Sequence, residues 1–392
     1  MDSMKVAIVT TEYPTIESPN TGVFVRMNAQ AIGMNHQVTV VHLRSEAAGS
    51  EESHYVDANV EVRGFPNAMR APEDFERAAQ IVYALAPGFD IIHTMNQRSL
   101  IPFGLPEREE EQLACAWVHT EPWQLTSPMD WPQEILPVEE ILLRPDGLIA
   151  PAVKMLEDIA SRRFSSYTAA VPYIVPSPLY PSLPPIEGVE SPVPADNEFV
   201  PRPRVAGQLR LASVGAVNAK HQPEVAIRTV KTLRAAGVDA TLTWVGEGVA
   251  KIRSQEKIKD LKLEEYVRFV SANEVGVMEA LNAADLFIGP TKEENFYVPA
   301  LQALLAGRPL VLGEGARDLQ WISADTEPVV RIVTEKNSKF WAEACQELQA
   351  ATATMEPREV AETVGDRYSP TAIAAEYDEV YAETMAASGF AR

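Results

Sequence analysis

The stretch Ala284-Asp-Leu-Phe-Ile-Gly289-Pro-Thr-Lys-Glu-Glu294-Asn-Phe-Tyr-Val-Pro-Ala-Leu-Gln302-Ala-Leu-Leu-Ala-Gly307-Arg-Pro309-Leu-Val-Leu312 reads as strand, polar loop, apolar helix and strand. The first strand ends at Ile288, the loop exposes Glu293 and Glu294, and the helix starts near Val298. This is a βαβ unit, whose crossover is right-handed. Its loop sets backbone N–H groups and a helix dipole where an anion can bind. Taken alone, such a loop is more often a solvated surface with exposed carboxylates.

Upstream and downstream the same rhythm continues. Leu209 to Val214, Thr241 to Val245, Val267 to Val270, Leu286 to Gly289, Pro309 to Leu312 and Val329 to Val333 read as strands. Helical patterns lie between them, at Pro223 to Ala236, up to Leu261, Glu274 to Ala284 and Val298 to Ala306. The first half repeats the scheme with Val6 to Thr10, Val38 to Leu43, Val60 to Phe65, Ile91 to Thr94, Cys115 to His119 and Leu148 to Ala150, and with helices at Val23 to Asn35 and Val153 to Phe164. Runs this apolar suit parallel sheets covered on both faces. Ten of the thirty prolines fall between Pro172 and Pro203, a density that neither a helix nor a central strand accepts. The expected organisation is a first α/β domain at 1–180, a proline-rich linker at 181–208 and a second α/β domain at 209–369. A last amphipathic helix, Pro370 to Met385, has Ser369 as its N-cap, and residues 370–392 are expected to pack back on the first domain.

Composition bounds the function. At 392 residues and 46% hydrophobic, the chain can bury two cores. Its net charge of −21 argues against broad binding to nucleic acid or anionic lipid, and leaves room only for a small local cationic pocket. Cys115 and Cys345 lack metal-ligand spacing and read as buried thiols. No apolar run approaches the length of a signal-peptide core or a membrane span, so the expected address is cytoplasmic. The chain has no P-loop, no His-Glu-x-x-His and no Gly-x-Ser-x-Gly. Gly246-Glu-Gly248 has Lys251 where a dinucleotide fingerprint needs its third glycine, and no Asp-x-Asp pair is present to hold a divalent metal.

The motifs taken together resemble the family 4 glycosyltransferases of the GT-B fold. Pro290, Thr291, Glu294, Phe296, Ala303, Gly307 and Pro309 fall in register on that family's carboxyl-terminal signature. Val245-Gly-Glu-Gly248, Val267-Arg-Phe-Val-Ser271 and Ala284-Asp-Leu-Phe-Ile-Gly-Pro290 are similar to its other second-domain motifs. In the first half, Thr21-Gly-Val-Phe-Val-Arg26 resembles its glycine loop, Trp117-Val-His119-Thr its central histidine, and Val175-Pro-Ser-Pro-Leu-Tyr180 its hinge.

The resemblance implies two Rossmann-like domains with parallel sheets facing across a cleft. It implies a retaining transfer from a nucleotide-sugar to a hydroxyl of a glycan, a lipid-linked intermediate or a small metabolite, with no metal and no cofactor. Glu294 would hold the donor sugar, and the amides of Asn295, Phe296 and Tyr297 would face the sugar and diphosphate. Lys220, with Gly215 and Gly22 allowing close backbone approach, would meet the phosphates. Val270 and Ser271 would flank the base and Gln302 the ribose, while His119, at a strand end, would contact the donor sugar. His93, Glu121 and Trp123 are candidate acceptor contacts, with a satisfied interior group as the alternative for His93 and a packed loop for the region of Trp123 and Trp131.

Three positions depart from the family pattern. Ala216 stands where an arginine is usual, Gln302 replaces a carboxylate, and Asn295-Phe296-Tyr297 replaces a small Gly-x-Gly. Arg26 and Arg317 are candidate replacements for the lost cation. The departures keep open an alternative, a catalytically silent GT-B-like protein that binds a glycan, a nucleotide or a partner glycosyltransferase. A homodimer is also open.

Overall fold

The structure, a computed structural model, describes residues 3–15, 18, 21–44, 51–108, 111–122, 131–162, 171–180, 202–271, 276–292, 298–316 and 326–390. The chain divides into two compact units, Met1–Glu190 with Tyr368–Arg392, and Ser191–Arg367.

Unit 1 runs β1 (Lys5–Thr10), α1 (Val23–Ile32), β2 (Gln37–Arg44), β3 (Ser53–Asp57), β4 (Val60–Pro66), α2 (Pro72–Leu85), β5 (Ile91–Met95), β6 (Ala116–Thr120), α3 (Val138–Ile141), β7 (Gly147–Ala150), α4 (Val153–Arg162) and β8 (Val171–Ile174). The sheet order is β3-β4-β2-β1-β5-β6-β7-β8. All its pairs are parallel except β3 with β4, a hairpin closed through Ala58 with a positive φ of 55°. Two edge strands, β3 and β8, were not expected from sequence, and only β3 breaks the parallel pattern. Ser-His-Tyr-Val-Asp is too polar to read as a covered strand, because it lies at the sheet edge with one face in water. β8 carries Pro172, which an edge strand tolerates.

Unit 2 runs β9 (Gln208–Val214), α5 (Pro223–Ala235), β10 (Asp239–Val245), α6 (Lys251–Asp260), β11 (Val267–Val270), α7 (Val277–Ala283), β12 (Leu286–Gly289), α8 (Val298–Leu305), β13 (Leu310–Gly313), β14 (Val330–Val333), α9 (Ser338–Ala351) and α10 (Pro357–Glu362). Its six parallel strands are ordered β11-β10-β9-β12-β13-β14, which is the 3-2-1-4-5-6 order of a doubly wound dinucleotide fold. One core packs Leu211, Leu242 and Trp244 of the sheet against Val230, Leu233, Trp341 and Cys345 of the helices.

The last helix, α11 (Pro370–Ser388), belongs to unit 1. The Ser369 side chain accepts from the Ala372 amide at 3.2 Å, so the helix starts where a serine cap followed by proline dictates. α11 lies against α1 and β6, and buries Ile373, Tyr377 and Tyr381 over the sheet face that carries Ile8, Val118 and Ile149. Its polar tips are also taken up, since the Tyr377 hydroxyl donates to Asn28 at 2.8 Å and Tyr381 bonds His93 at 2.7 Å. Each such buried side chain contributes about 1.5–3 kcal/mol. Both cysteines are buried, and desolvation pushes each thiol up to about 12. Among the described residues no helix is long and apolar enough to cross a membrane.

Candidate functional site

In an open α/β sheet the ligand crevice lies outside the carboxyl ends of the strands, where the strand order reverses. In unit 2 that point lies between β9 and β12. The loops after these strands are tied together, because the Lys292 amide donates to the Lys220 carbonyl at 2.9 Å and Gln222 Nε2 donates to the Pro290 carbonyl at 2.9 Å. Asn218 shapes the first loop, its Oδ1 accepting from the amides of Lys220 at 3.0 Å and His221 at 3.1 Å.

The loop after β10 joins them. Val217 donates to the Glu247 carbonyl at 2.8 Å, and Ala250 donates to the Val217 carbonyl at 2.9 Å. Trp244 Nε1 donates to the Gly215 carbonyl at 2.9 Å. Gly246-Glu-Gly248 therefore serves loop packing in this chain. A Cβ at Gly246 would stand 2.0 Å from the Gly215 oxygen, and one at Gly248 would stand 2.4 Å from that of Val217. Gly246→Ala is expected to part the loops and destabilise the protein by about 2 kcal/mol or more, read as a fall in melting temperature.

Of the donor residues expected from sequence, Gly215 and Lys220 lie on these stitched loops, with Lys220 half-buried. Val270 ends β11, and its carbonyl accepts from the Gly246 amide at 2.8 Å. Ser271 follows, half-buried, and Gln302 is half-buried on α8. Glu294, Asn295, Phe296, Tyr297, Trp123 and Arg317 lie outside the described residues. Two hydroxyls that sequence reasoning did not single out as binding groups, those of Ser213 and Thr291, are buried without a hydrogen-bond partner among the described residues. A buried unsatisfied polar atom costs about 1–3 kcal/mol, which makes both informative next to the crevice.

In unit 1 the strand order reverses between β1 and β5. Gly22 caps α1 with φ 71°, and a Cβ there would stand 2.4 Å from the Glu12 carbonyl carbon, so its missing side chain lets the chain cross itself. Asn96, just past β5, holds φ 75° and ψ 156°, a conformation rare outside glycine. Its amide donates to Thr10 Oγ1 at 3.1 Å, and its Oδ1 accepts from the Ser99 amide at 3.1 Å, which ties the two loops of this edge. Its position directly after an apolar strand at the reversal is the signal that could have found it. Burial raises the Glu12 carboxyl pKa above the usual range, with the Glu121 charge adding to this and Arg98 opposing it.

His119 ends the apolar run of β6 as expected, and it is fully buried. Its Nδ1 shares a 2.9 Å hydrogen bond with Thr94 Oγ1, which also accepts from Trp117 Nε1, and its Nε2 stands 3.5 Å from Glu121 Oε2. His93 is an interior group, bonded through Nε2 to Thr120 at 2.6 Å and through Nδ1 to Tyr381. Burial pushes its pKa down to about 3. Both ring nitrogens are thereby spent inside unit 1, as in the alternative reading of this residue. Trp131 is packed into its own loop, with Nε1 donating to the Leu136 carbonyl at 2.9 Å.

Arg26 does not serve as the replacement phosphate cation. It is buried in α1 and bound bidentately to Asp57, Nε to Oδ2 and Nη2 to Oδ1, both at 2.7 Å. Among the described residues no three His, Cys, Asp or Glu side chains are grouped so as to hold a metal ion.

Comparison with known proteins agrees with this layout. Residues 208–351 match the family model described as glycosyl transferases group 1. A GDP-mannose-dependent alpha-(1-6)-phosphatidylinositol dimannoside mannosyltransferase of Mycobacterium tuberculosis is 29% identical over 119 residues, 30% of this chain and 31% of that protein. The match thus spans about a third of that relative's length. Among solved structures, sucrose-phosphate synthase from Thermosynechococcus elongatus superposes with a TM-score of 0.70 at 17% identity, covering 98% of this chain and 99% of the other. Starch synthase IV from Arabidopsis thaliana, bound to ADP and acarbose, gives 0.68 at 12% identity, covering 98% and 100%. Anabaena HepE, in complex with UDP and glucose, gives 0.67 at 14% identity, covering 97% and 100%. The chain therefore has the GT-B fold, and its second unit carries the sequence pattern of the glycosyl transferases group 1.

Proposed function

We propose that the protein is a retaining glycosyltransferase that moves a sugar from a nucleotide-sugar to a hydroxyl of a glycan, lipid-linked or small-molecule acceptor. The observation that carries this reading is the stitched set of loops after β9, β10 and β12. They lie at the reversal point of a 3-2-1-4-5-6 sheet and within the segment that matches the family model. The unsatisfied hydroxyls of Ser213 and Thr291 support a polar ligand at this edge.

In this reading the protein's task is electrostatic. As the glycosidic bond breaks, negative charge grows on the diphosphate, and Lys220 with the loop amides meets it from fixed positions. The departing diphosphate takes the acceptor's proton on the same face of the sugar, so neither a protein nucleophile nor a metal is required. Glu294 with Asn295, Phe296 and Tyr297 holds the donor sugar, Ser271 and Gln302 the nucleoside, and His119 contacts the sugar through a ring oriented by Thr94. The hydrogen bonds by which a carboxylate fixes sugar hydroxyls are about twice as strong as neutral ones.

The similar proteins differ in base, with GDP-mannose, ADP and UDP in their descriptions. Calorimetric titration with UDP, GDP and ADP tests the reading before any acceptor is known. One nucleotide is expected to bind and, at about a hundred times its dissociation constant, to add roughly 2.7 kcal/mol of stability. If all three fail to bind up to millimolar concentration, the donor site assigned to unit 2 is wrong.

A further inference from the structure

Unit 2 has a second concave feature, at the opposite ends of its strands. Inner strands of a doubly covered parallel sheet read as near-continuous apolar runs. β10 does not, because Asp239-Ala-Thr-Leu-Thr-Trp-Val245 alternates, burying Ala240, Leu242 and Trp244 while Thr241 and Thr243 stay half-exposed on the other face. The neighbouring strands match it in register, with Arg210 of β9 beside Thr241 and Arg268 of β11 beside Thr243. α7, seven residues long, covers only part of this face. What it leaves open is a cavity of about 350 Å³.

The cavity is chemically divided. On the β9 side Arg202 and Arg210 line it, while Arg204 and Arg308 both lie in the field of Asp285, and Arg308 also in that of Arg204 and Arg210. The buried carboxylate of Asp285 is occupied by Arg210, through Nε at 3.0 Å, Nη2 at 2.7 Å and the backbone amide at 2.7 Å. Arg308 is 1% exposed. Its Nη1 donates at 2.7 Å to the carbonyl of Ala284, itself a wall residue, while its Nη2 has no partner among the described residues. Desolvation, with Arg204 and Arg210 adding repulsion, pushes its pKa down to about 10. Glu356 acts on Arg204 from the other direction. Three guanidinium groups, those of Arg204, Arg210 and Arg308, thus crowd one buried aspartate in a chain of net charge −21.

On the β11 side the lining is of another kind. The hydroxyls of Thr241 and Thr243, the exposed carboxylates of Glu264 and Glu265, and Arg268, whose Nε donates to Thr243 at 3.0 Å, form a wall suited to sugar hydroxyls. Ala280 and Ala283 of α7 supply the apolar part of the wall. A cation-rich end is matched by phosphate, to which Arg202 offers a guanidinium fork and Arg210, whose Nε and Nη2 are held by Asp285 and the Pro203 carbonyl, its Nη1. The volume is at the small end of ligand sites, the size of one sugar ring and well short of a nucleotide.

We propose that this cavity binds a small phosphorylated polyol of monosaccharide size, with its phosphate toward Arg202 and Arg210 and its hydroxyls toward Thr241, Thr243, Glu264 and Glu265. The site lies near the amino ends of β9 and β11, away from the candidate donor edge, and does not depend on the transfer reaction.

The test is calorimetric titration of the full chain with glucose 6-phosphate, inorganic phosphate and methyl glucoside. Glucose 6-phosphate is expected to bind saturably and about ten-fold tighter than either fragment, since both ends of the cavity are then used. The double variant Arg202→Ala with Arg268→Ala, at two exposed positions, is expected to keep the wild-type melting temperature and weaken binding about ten-fold or more. Saturating UDP is expected to leave the binding unchanged. Absence of saturation up to about 10 mM, displacement by UDP, or indifference to the double variant would each overturn the proposal.

Discussion

In the proposed transfer, Lys220→Ala is expected to lower kcat/KM by about two to three orders of magnitude, the loss expected when one preorganised group facing developing charge is removed. The reason is local. The loop that carries Lys220 is fixed at three points, by Asn218 to its own amide, by Lys292 to its carbonyl, and by Gln222 to Pro290. A cation on a fixed loop costs no reorganisation when charge appears on the diphosphate. Between Gly215 and Gln222 the sequence holds no other lysine or arginine, and Arg26 is committed to Asp57. Two of these contacts use backbone atoms of Lys220 and the third joins Gln222 to Pro290, so none of the three is lost with the lysine side chain. The melting temperature is therefore expected to stay within about 1–2 °C of wild type, while nucleotide affinity falls. Lys292→Ala, at an exposed position on the partner loop, is expected to cost less. Unchanged turnover in Lys220→Ala would remove this lysine from the mechanism.

Asp57→Ala will have the largest effect on stability, about 3–5 kcal/mol, because it strands a buried charge. Asp57 is 1% exposed at the end of an edge strand. It receives Arg26 bidentately, the Tyr13 hydroxyl at 2.7 Å and Gln30 Nε2 at 3.3 Å. One carboxylate thus clamps the loop after β1, helix α1 and the β3–β4 hairpin. Without it the buried Arg26 guanidinium loses its bidentate partner. A fall of roughly 10 °C in the melting temperature of unit 1 is expected. Replacing both partners, Arg26→Met with Asp57→Leu, should recover much of the loss, since a well-packed apolar pair of similar volume is often neutral. If Asp57→Ala melts like wild type, the clamp is not what holds this corner.

These two residues mark how far the sequence could be read. Strands buried on both faces, such as Val38 to Leu43 or Leu286 to Gly289, announce themselves as apolar runs, and their observed bounds differ from the expected ones by a residue or so. The final helix was legible from Ser369 and Pro370, because a cap is a local device. Edge elements were not. β3 and β8 look polar or proline-bearing for the very reason that one side of each is unpaired, and Asp57 sits on the first of them. Arg26 was legible as a cation but not as a paired one, since its partner lies 31 residues away in sequence and is reached only when the hairpin folds over α1.

The site followed the same division. Gly215, Lys220 and His119 stand next to strand ends, where topology fixes position once the strands are known. Asn96, Ser213 and Thr291 carry information only through what they do or do not bond, and that depends on neighbouring loops. Gly246 and Gly248 resembled a ligand-binding turn, yet the clash a Cβ would make shows a further use, the packing of one loop on another.

The placement of α11 in unit 1 has a consequence for synthesis. Residues 191–367, all of unit 2, leave the ribosome between the bulk of unit 1 and the helix that covers one face of its sheet. At about 5–20 residues per second this interval lasts roughly 10–40 s. Throughout it Ile8, Val118 and Ile149 lack the cover of Ile373, Tyr377 and Tyr381, and His93 lacks the tyrosine that closes its hydrogen bonding. A nascent chain at this stage presents an apolar sheet face to chaperones and to other chains. Unit 2, contiguous in sequence, has no such wait, and the half of the molecule made second is expected to reach its native state first.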